Sequence, residues 1–319
     1  MGQQPQQKLL GLKIDIDTYR GTKEGVPALI ALLKKHRAFA TFYFSLGPDQ
    51  TGRALKRIFR PGFFKKVSRT SVLKHYGLKT VLYGTILPSP YISKKCSKVM
   101  NEVAQNNFEV GIHTYNHIKW QDYVTNKNYD WTKKEMDLAA GEFALVFKEM
   151  SKTHAAAGWQ INDHAIKIEN SMKFDYCSDT RGKTPFLPII EGKLINCPQI
   201  PTTLPTLDEL IGVNGIDEKN VHDYILSLTE AKDSFASSPT ASTSSTIQVY
   251  TLHAELEGML FKEIFEKLLI GWKKQNYNLV SLKTIYNHLM TTNNKLPHNK
   301  ITMGEISGRS GVVALQQQD

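Results

Sequence analysis

The sequence predicts an α/β protein built on a mostly parallel sheet, and three observations carry that prediction. Segments with the period-two signature of strands alternate with helical segments from end to end, and the connections between them are short enough for one domain. Three of the strands end in acids or histidines, where parallel α/β sheets gather their chemistry. The 319 residues are 41% hydrophobic, 22% charged and 10% aromatic. That is an ordinary folded composition, and it excludes the disordered, collagenous and disulfide-stapled classes.

Taken in order, residues 9–17 alternate at their end in strand fashion, so Asp15 and Asp17 point the same way. Residues 24–35 read as a helix burying Leu29, Ile30, Leu32 and Leu33, and 38–45 as an aromatic strand, which completes a β-α-β opening. Residues 101–105 close a helix, 108–113 read as a strand and 133–150 as a long amphipathic helix. A strand at 247–252, a helix at 259–275, a short strand at 278–280 and a helix at 282–290 follow. The Ser/Thr-rich stretch 232–247 is too polar to pack and reads as a flexible loop inside the domain. The Asn-, Gly- and Gln-rich tail 292–319 is expected to be loose.

Cys96, Cys177 and Cys197 form no CxxC pair and read as packing residues. The apolar run at 26–33 falls far short of the roughly 18 residues a membrane span needs, and no leader of the secretory type opens the chain. A cytosolic location is therefore expected.

The net charge of +10 is unevenly placed. Between Gln50 and Asn101 there is no acid, while Arg53, Lys56, Arg57, Arg60, Lys65, Lys66, Arg69, Lys74, Lys79, Lys94, Lys95 and Lys98 supply twelve cations, so the rest of the chain is net acidic. Nucleic acid, an anionic membrane face or a phosphorylated substrate would each attract such a block. Leu55, Ile58 and Phe59 recur at helical spacing, and Phe63, Phe64 and Val67 follow the break at Pro61-Gly62. Two short basic amphipathic helices of this kind suit a bilayer interface, although packing on the protein's own core is the commoner fate of such a helix. The complete absence of acids favours the membrane, and no nucleic-acid-binding motif is present.

Asp15-x-Asp17, His113-x-x-x-His117 and Leu252-His253 each sit at a strand end. If those ends converge, Asp17, His113 and His117 offer one carboxylate and two imidazoles to a divalent metal and leave coordination positions open. Each motif is weak alone, and the conjunction is stronger than its parts.

In that order and at those separations, the motifs resemble the polysaccharide deacetylase (NodB homology) family. The blocks 14–27, 45–49, 155–159, 176–182, 198–205 and 250–258 extend the resemblance over roughly residues 8–291, and they are closest to the branch that deformylates a lipid-linked amino sugar. The resemblance implies a distorted (β/α) barrel and one divalent metal ion, with zinc, cobalt, manganese and iron all compatible with the donor set. Asp17, His113 and His117 would be the ligands, Asp15 the general base and His253 the general acid, with Asp179 in support as the residue that orients the catalytic histidine. The family's third-motif arginine has no counterpart, because 155–159 reads Ala-Ala-Ala-Gly-Trp; Arg20 and Arg181 are the candidates to orient Asp15 instead. The implied reaction is hydrolysis of the formamide of undecaprenyl-phosphate-linked 4-deoxy-4-formamido-L-arabinose, a step of lipid A modification and cationic-peptide resistance. The implied partners are that lipid-linked sugar and an anionic membrane surface, met peripherally from the cytoplasmic side through Arg53, Lys56, Arg57, Arg60, Lys65, Lys66 and Arg69. Another deacylase of the same family and a basic nucleic-acid-binding protein are the competing readings. Non-haem iron oxygenases share the two-histidine, one-carboxylate set, but a base and an acid flanking it argue for hydrolysis.

Overall fold

Strand β1 (Lys8–Ile16) is the centre of the architecture because all but its first residue are buried, and it is hydrogen-bonded along both edges. A computed structural model describes residues 8–54, 80, 82–230, 246–292 and 295–317. Helix α1 (Val26–Lys35) leads to β2 (Thr41–Ser45), and α2 (Ile92–Gln105) leads to β3 (Glu109–Thr114). Next come α3 (His117–Tyr123), α4 (Tyr129–Phe147), β4 (Thr153–His154), α5 (Asp163–Ser171) and β5 (Tyr176–Cys177). β6 (Leu187–Ile190), β7 (Lys193–Leu194), α6 (Leu207–Leu210) and α7 (Val221–Glu230) precede β8 (Thr246–His253). The chain closes with α8 (Lys262–Lys274), β9 (Asn278–Val280), α9 (Leu282–Thr291), β10 (His298–Glu305) and β11 (Val312–Gln316).

The main sheet runs β5-β4-β3-β2-β1-β8, with every pair parallel. β9 pairs with the beginning of β1, at Leu9 to Gly11, while β2 pairs with its end, at Lys13 to Ile16. The sheet curls into a half-barrel with helices outside. Its open side is spanned by residues 198–204, which bond to β5 through Ile200 N to Cys177 O (2.8 Å) and to β8 through Thr203 N to Val249 O (3.1 Å).

Alternation along the strands separates two apolar layers. Leu10, Leu12, Ile14, Ile16, Phe42, Phe44, Tyr250 and Leu252 face the helices in the larger core. Leu9, Tyr43, Tyr176 and Val249 face inward, where Leu282, Ile285 and Leu289 of α9 plug the base of the barrel. Gly11 is required there, since a Cβ would lie 2.6 Å from Leu282 Cδ2. The inward face of β1 therefore rises through Leu9, Gly11 and Lys13 to Asp15, and the chemistry collects at the top.

Most expected elements form, with displaced ends. α4 starts earlier than its apolar pattern suggests because Asn128 caps it, accepting from Trp131 N at 3.1 Å, and it stops where Lys148 turns left-handed at φ 60°. The tail is a correction. Residues 298–316 are ordered: β10 pairs with β6 and β11, Arg181 N donates to Ala314 O, and Gln316 N donates to Arg181 O. Its polar composition suggested looseness, but main-chain pairing needs no apolar side chains, and Val313 and Ala314 are buried all the same.

The basic stretch expected to face a membrane lies mostly outside the described residues, including Lys56, Arg57, Arg60, Lys65, Lys66 and Arg69. Arg53 is exposed and its Nε donates to Gly84 O at 3.1 Å. The end of the acid-free segment forms the first part of α2, with Ile92, Cys96 and Met100 in the core. The Ser/Thr-rich stretch also lies outside the described residues, apart from its last two. Among the described residues no helix is long and apolar enough to cross a membrane.

Candidate active site

Asp15 and His253 are direct neighbours because β1 and β8 pair in register there. His113 reaches the same place through an irregularity. Phe44 pairs with Ile112 but Ser45 pairs with Thr114, so His113 is the extra residue of a bulge, a device that re-aims a side chain. His117 opens α3, whose start is set by Asn116 Oδ1 accepting from Lys119 N at 3.0 Å.

The expected ligands meet. His113 Nε2 lies 3.2 Å and His117 Nε2 3.3 Å from Asp17 Oδ1, and the three donor atoms all lie within 4.8 Å of one another. His113 Nδ1 donates to the Ala155 carbonyl at 2.7 Å, because a carbonyl can only accept. With Nδ1 so engaged it is Nε2 that faces the cluster, and this is the outer hydrogen bond that metal-ligating histidines commonly make. Asp17 Oδ1 is buried and has no hydrogen-bond partner among the described residues. Burial pushes the Asp17 pKa up, but His117 and His113 outweigh it and hold the carboxyl well below its ordinary range. Two neutral-capable imidazoles and an ionised, otherwise unpartnered carboxylate oxygen fit a divalent cation.

The turn carrying Asp17 is fixed by a residue that sequence reasoning did not single out. Glu255 Oε1 accepts from Asp17 N (3.1 Å), Thr18 N (2.8 Å) and Thr18 Oγ1 (2.7 Å). Burial and the Asp17 charge push its carboxyl up to about 8. Wide helical turns at Gly21–Gly25 and Leu256–Leu260 follow β1 and β8, and they touch at glycines: a Cβ on Gly258 would lie 2.7 Å from Gly25 O.

Asp15 and His253 flank the cluster without being needed as ligands. Asp15 Oδ1 is buried without a hydrogen-bond partner among the described residues, 4.0 Å from His113 Nδ1, while Oδ2 lies 3.5 Å from Lys13 Nζ. His253 N donates to Glu257 Oε2 at 2.9 Å, and its ring Nδ1 is buried without a hydrogen-bond partner among the described residues. Burial works to lower the His253 pKa, but the fields of Asp17, Asp208, Asp15 and Glu257 prevail and raise it.

Three expected details are corrected. Asp179 does not orient His253: it accepts from Ala156 N (2.7 Å) and Gln199 Nε2 (2.8 Å) and pairs with His154 Nδ1 at 3.0 Å. A different acid, Asp208 in the first turn of α6, acts on His253, and its Oδ1 accepts from Thr206 Oγ1 at 2.6 Å. Arg20 pairs with Glu24 and Arg181 with Glu209, so the cation beside Asp15 is Lys13 instead. A lysine in a strand reads as ordinary polar alternation, which is why it carried no signal.

Paired imidazoles and a carboxylate, with a second carboxylate and a third imidazole alongside, form the arrangement of metal-assisted hydrolysis. The polysaccharide deacetylase family model matches residues 2–177, and the chain belongs to that family. It is 34% identical over 307 residues, covering 96% of this chain and 94% of the relative, to the probable 4-deoxy-4-formamido-L-arabinose-phosphoundecaprenol deformylase ArnD of Shewanella sediminis (strain HAW-EB3). The protein of the same name from Wigglesworthia glossinidia brevipalpis is 32% identical over 93% of this chain and 99% of its own length. A polysaccharide deacetylase-type structure from Mycobacterium smegmatis shares the fold, with a TM-score of 0.63 at 13% identity, covering 96% of this chain and 97% of that one.

Proposed function

We propose that this protein is a metal-dependent deformylase that hydrolyses the formamide of undecaprenyl-phosphate-linked 4-deoxy-4-formamido-L-arabinose to formate and the lipid-linked 4-amino sugar. The observation that carries the reading is the convergence of Asp17, His113 and His117 beside Asp15 and His253, in a chain 34% identical to a protein named for that reaction.

A formamide has a weakly electrophilic carbon and a poor leaving group. A divalent cation held by Asp17, His113 and His117 would supply Lewis acidity, polarising the carbonyl and making water a usable nucleophile near neutral pH. Asp15 Oδ1, buried and unpartnered, takes the proton that water loses as its oxygen joins the formyl carbon. The carbon–nitrogen bond breaks as His253 delivers a proton to the departing nitrogen. One oxygen has then been added to the formyl group, which leaves as formate, and the sugar nitrogen leaves as an amine. A base and an acid of opposed protonation stand on neighbouring strands, which serves both ends of the scissile bond.

Asp15→Asn should retain stoichiometric divalent metal and release formate at least about a hundredfold more slowly. Metal analysis beside a formate-release assay on the formylated lipid-linked sugar and its acetylated counterpart checks this. Undiminished release by Asp15→Asn removes Asp15 as base, and preference for the acetylated substrate makes the protein a different deacylase of the family.

The substrate's polyprenyl tail stays in a bilayer, so the enzyme must work at a membrane surface. The acid-free stretch between Gln50 and Asn101 supplies the complementary charge, and attachment is peripheral, at the cytoplasmic face of the inner membrane. Raising the salt concentration, or changing Lys65, Lys66 and Arg69 to Glu together, should release the protein from anionic vesicles in a flotation assay. Binding that is indifferent to both would reject the electrostatic attachment.

A further inference from the structure

Lys13 sits inside the barrel with no exposed surface, one step below Asp15 on the inward face of β1. Tyr43 and Trp159 flank it, Thr41 and Thr251 are its neighbours on the adjoining strands, and Asp15, Asp179 and Arg181 are the charges that act on it. An ammonium there is unfavourable to desolvate, and an unbranched apolar side chain of the same length would pack as well, so the charge calls for an explanation. Its contacts supply one. Nζ donates to Ser178 O at 2.9 Å, lies 5.2 Å from the ring centre of Trp159 and 5.9 Å from that of Tyr43, and stands 3.5 Å from Asp15 Oδ2. We propose that Lys13 is the positioning residue for Asp15: its ammonium pins one carboxylate oxygen so that the other faces the cluster of Asp17, His113 and His117. The inference rests on the reading of Asp15 as proton acceptor given above.

The geometry supports this in two ways. Among the described residues Asp15 Oδ1 has no hydrogen-bond partner, so the contact of Oδ2 with Lys13 is what sets the plane of the carboxylate. The lysine is itself held rigidly. Trp159 Nε1 donates to Thr202 Oγ1 at 3.2 Å, and the guanidinium groups of Arg181 and Arg309 lie 4.9 Å and 4.6 Å from its ring centre, so the aromatic wall beside Nζ has little freedom. Burial draws the Lys13 pKa down, while the charges of Asp15 and Asp179 act to keep the proton on it. The stretch 155–159 thus serves twice, with Ala155 aiming His113 and Trp159 walling Lys13.

The test compares Lys13→Met and Lys13→Gln, both neutral, with Lys13→Arg, which keeps a cation. Each is measured for near-ultraviolet circular dichroism, bound divalent metal, kcat and KM. The expected result is that the neutral variants fold, keep metal at wild-type stoichiometry and hold KM within about threefold, while kcat per metal-loaded molecule falls by about 10- to 100-fold. Lys13→Arg should recover most of the loss. A neutral variant with wild-type kcat overturns the proposal. So does failure of both neutral variants to fold beside a folded and fully active Lys13→Arg, which would assign the ammonium to stability. Asp15→Asn run alongside separates the two levels: if it releases formate normally the base assignment fails, and if it is inactive while Lys13→Met is not, only the role of Lys13 fails.

Discussion

Replacing His113 or His117 by alanine should strip the protein of stoichiometric divalent metal and slow formate release by at least about a thousandfold. The magnitude follows from losing several kcal/mol of transition-state stabilisation at about 1.36 kcal/mol per tenfold in rate. The geometry makes the two positions unequal in a second respect. His113 is almost fully enclosed and hydrogen-bonded to Ala155 O, so its truncation also leaves a buried carbonyl without its donor. His117 opens a capped helix at the rim and touches the cluster alone. Both variants should melt below the wild type in metal-free buffer, because each leaves Asp17 with one imidazole fewer, and His113→Ala should melt lower still, by an amount corresponding to about 1–3 kcal/mol for the unsatisfied carbonyl. Metal analysis, the formate assay and thermal denaturation in a chelator read the three quantities separately. Retention of metal by both variants would exclude this ligand set.

The second large effect lies away from the reacting atoms. His154, Glu169 and Asp179 are completely buried, with His154 Nδ1 2.8 Å from Glu169 Oε1 and 3.0 Å from Asp179 Oδ1. The three groups satisfy one another, and Ala156 N and Gln199 complete Asp179, so the cluster is an internal ion network despite its metal-like composition. Burial works to lower the His154 pKa, but the two carboxylates prevail and raise it from 6.5 to about 9. Asp179 is held below its ordinary 3.8, its burial outweighed mainly by His154.

Removing the imidazole with His154→Leu leaves two carboxylates facing each other without a cation, and should cost about 3–5 kcal/mol of stability. The pH dependence follows from linkage. A group whose folded pKa is raised contributes fully below its unfolded value, here 6.5, and loses that contribution as pH climbs through about 9. Asp179 works in the opposite sense, contributing above 3.8 and losing its contribution on acidification below that value. Glu169, its carboxyl pushed up to about 8 by burial and the Asp179 charge, contributes fully below 4.5 and loses its contribution as pH rises through about 8, so the network is most stabilising at about pH 4. Urea denaturation of the wild type and His154→Leu at pH 6 and pH 9 should show a gap that narrows at the higher pH; a constant gap would mean that His154 is not charged in the folded protein.

Local pattern carried part of the result. The alternation of residues 9–17 placed Asp15 and Asp17 on one face, and the strand-to-helix position of His113 and His117 put both imidazoles at a sheet end, because side-chain direction in a strand is a property of the nearest few residues. The six ordered blocks pointed to the family that the comparisons then showed. Charge distribution marked the basic stretch without placing it.

Sheet order decided the rest. The sequence β5-β4-β3-β2-β1-β8 sets beside one another residues separated by tens to hundreds of positions. Ala155 aims His113, Glu255 grips the turn of Asp17, Asp179 belongs to His154 and not to His253, and the polar tail folds back onto Arg181. Period and composition describe what a segment prefers. Which buried donor meets which acceptor depends on the neighbour that the fold supplies, since a buried polar group is stable only with its partner in place.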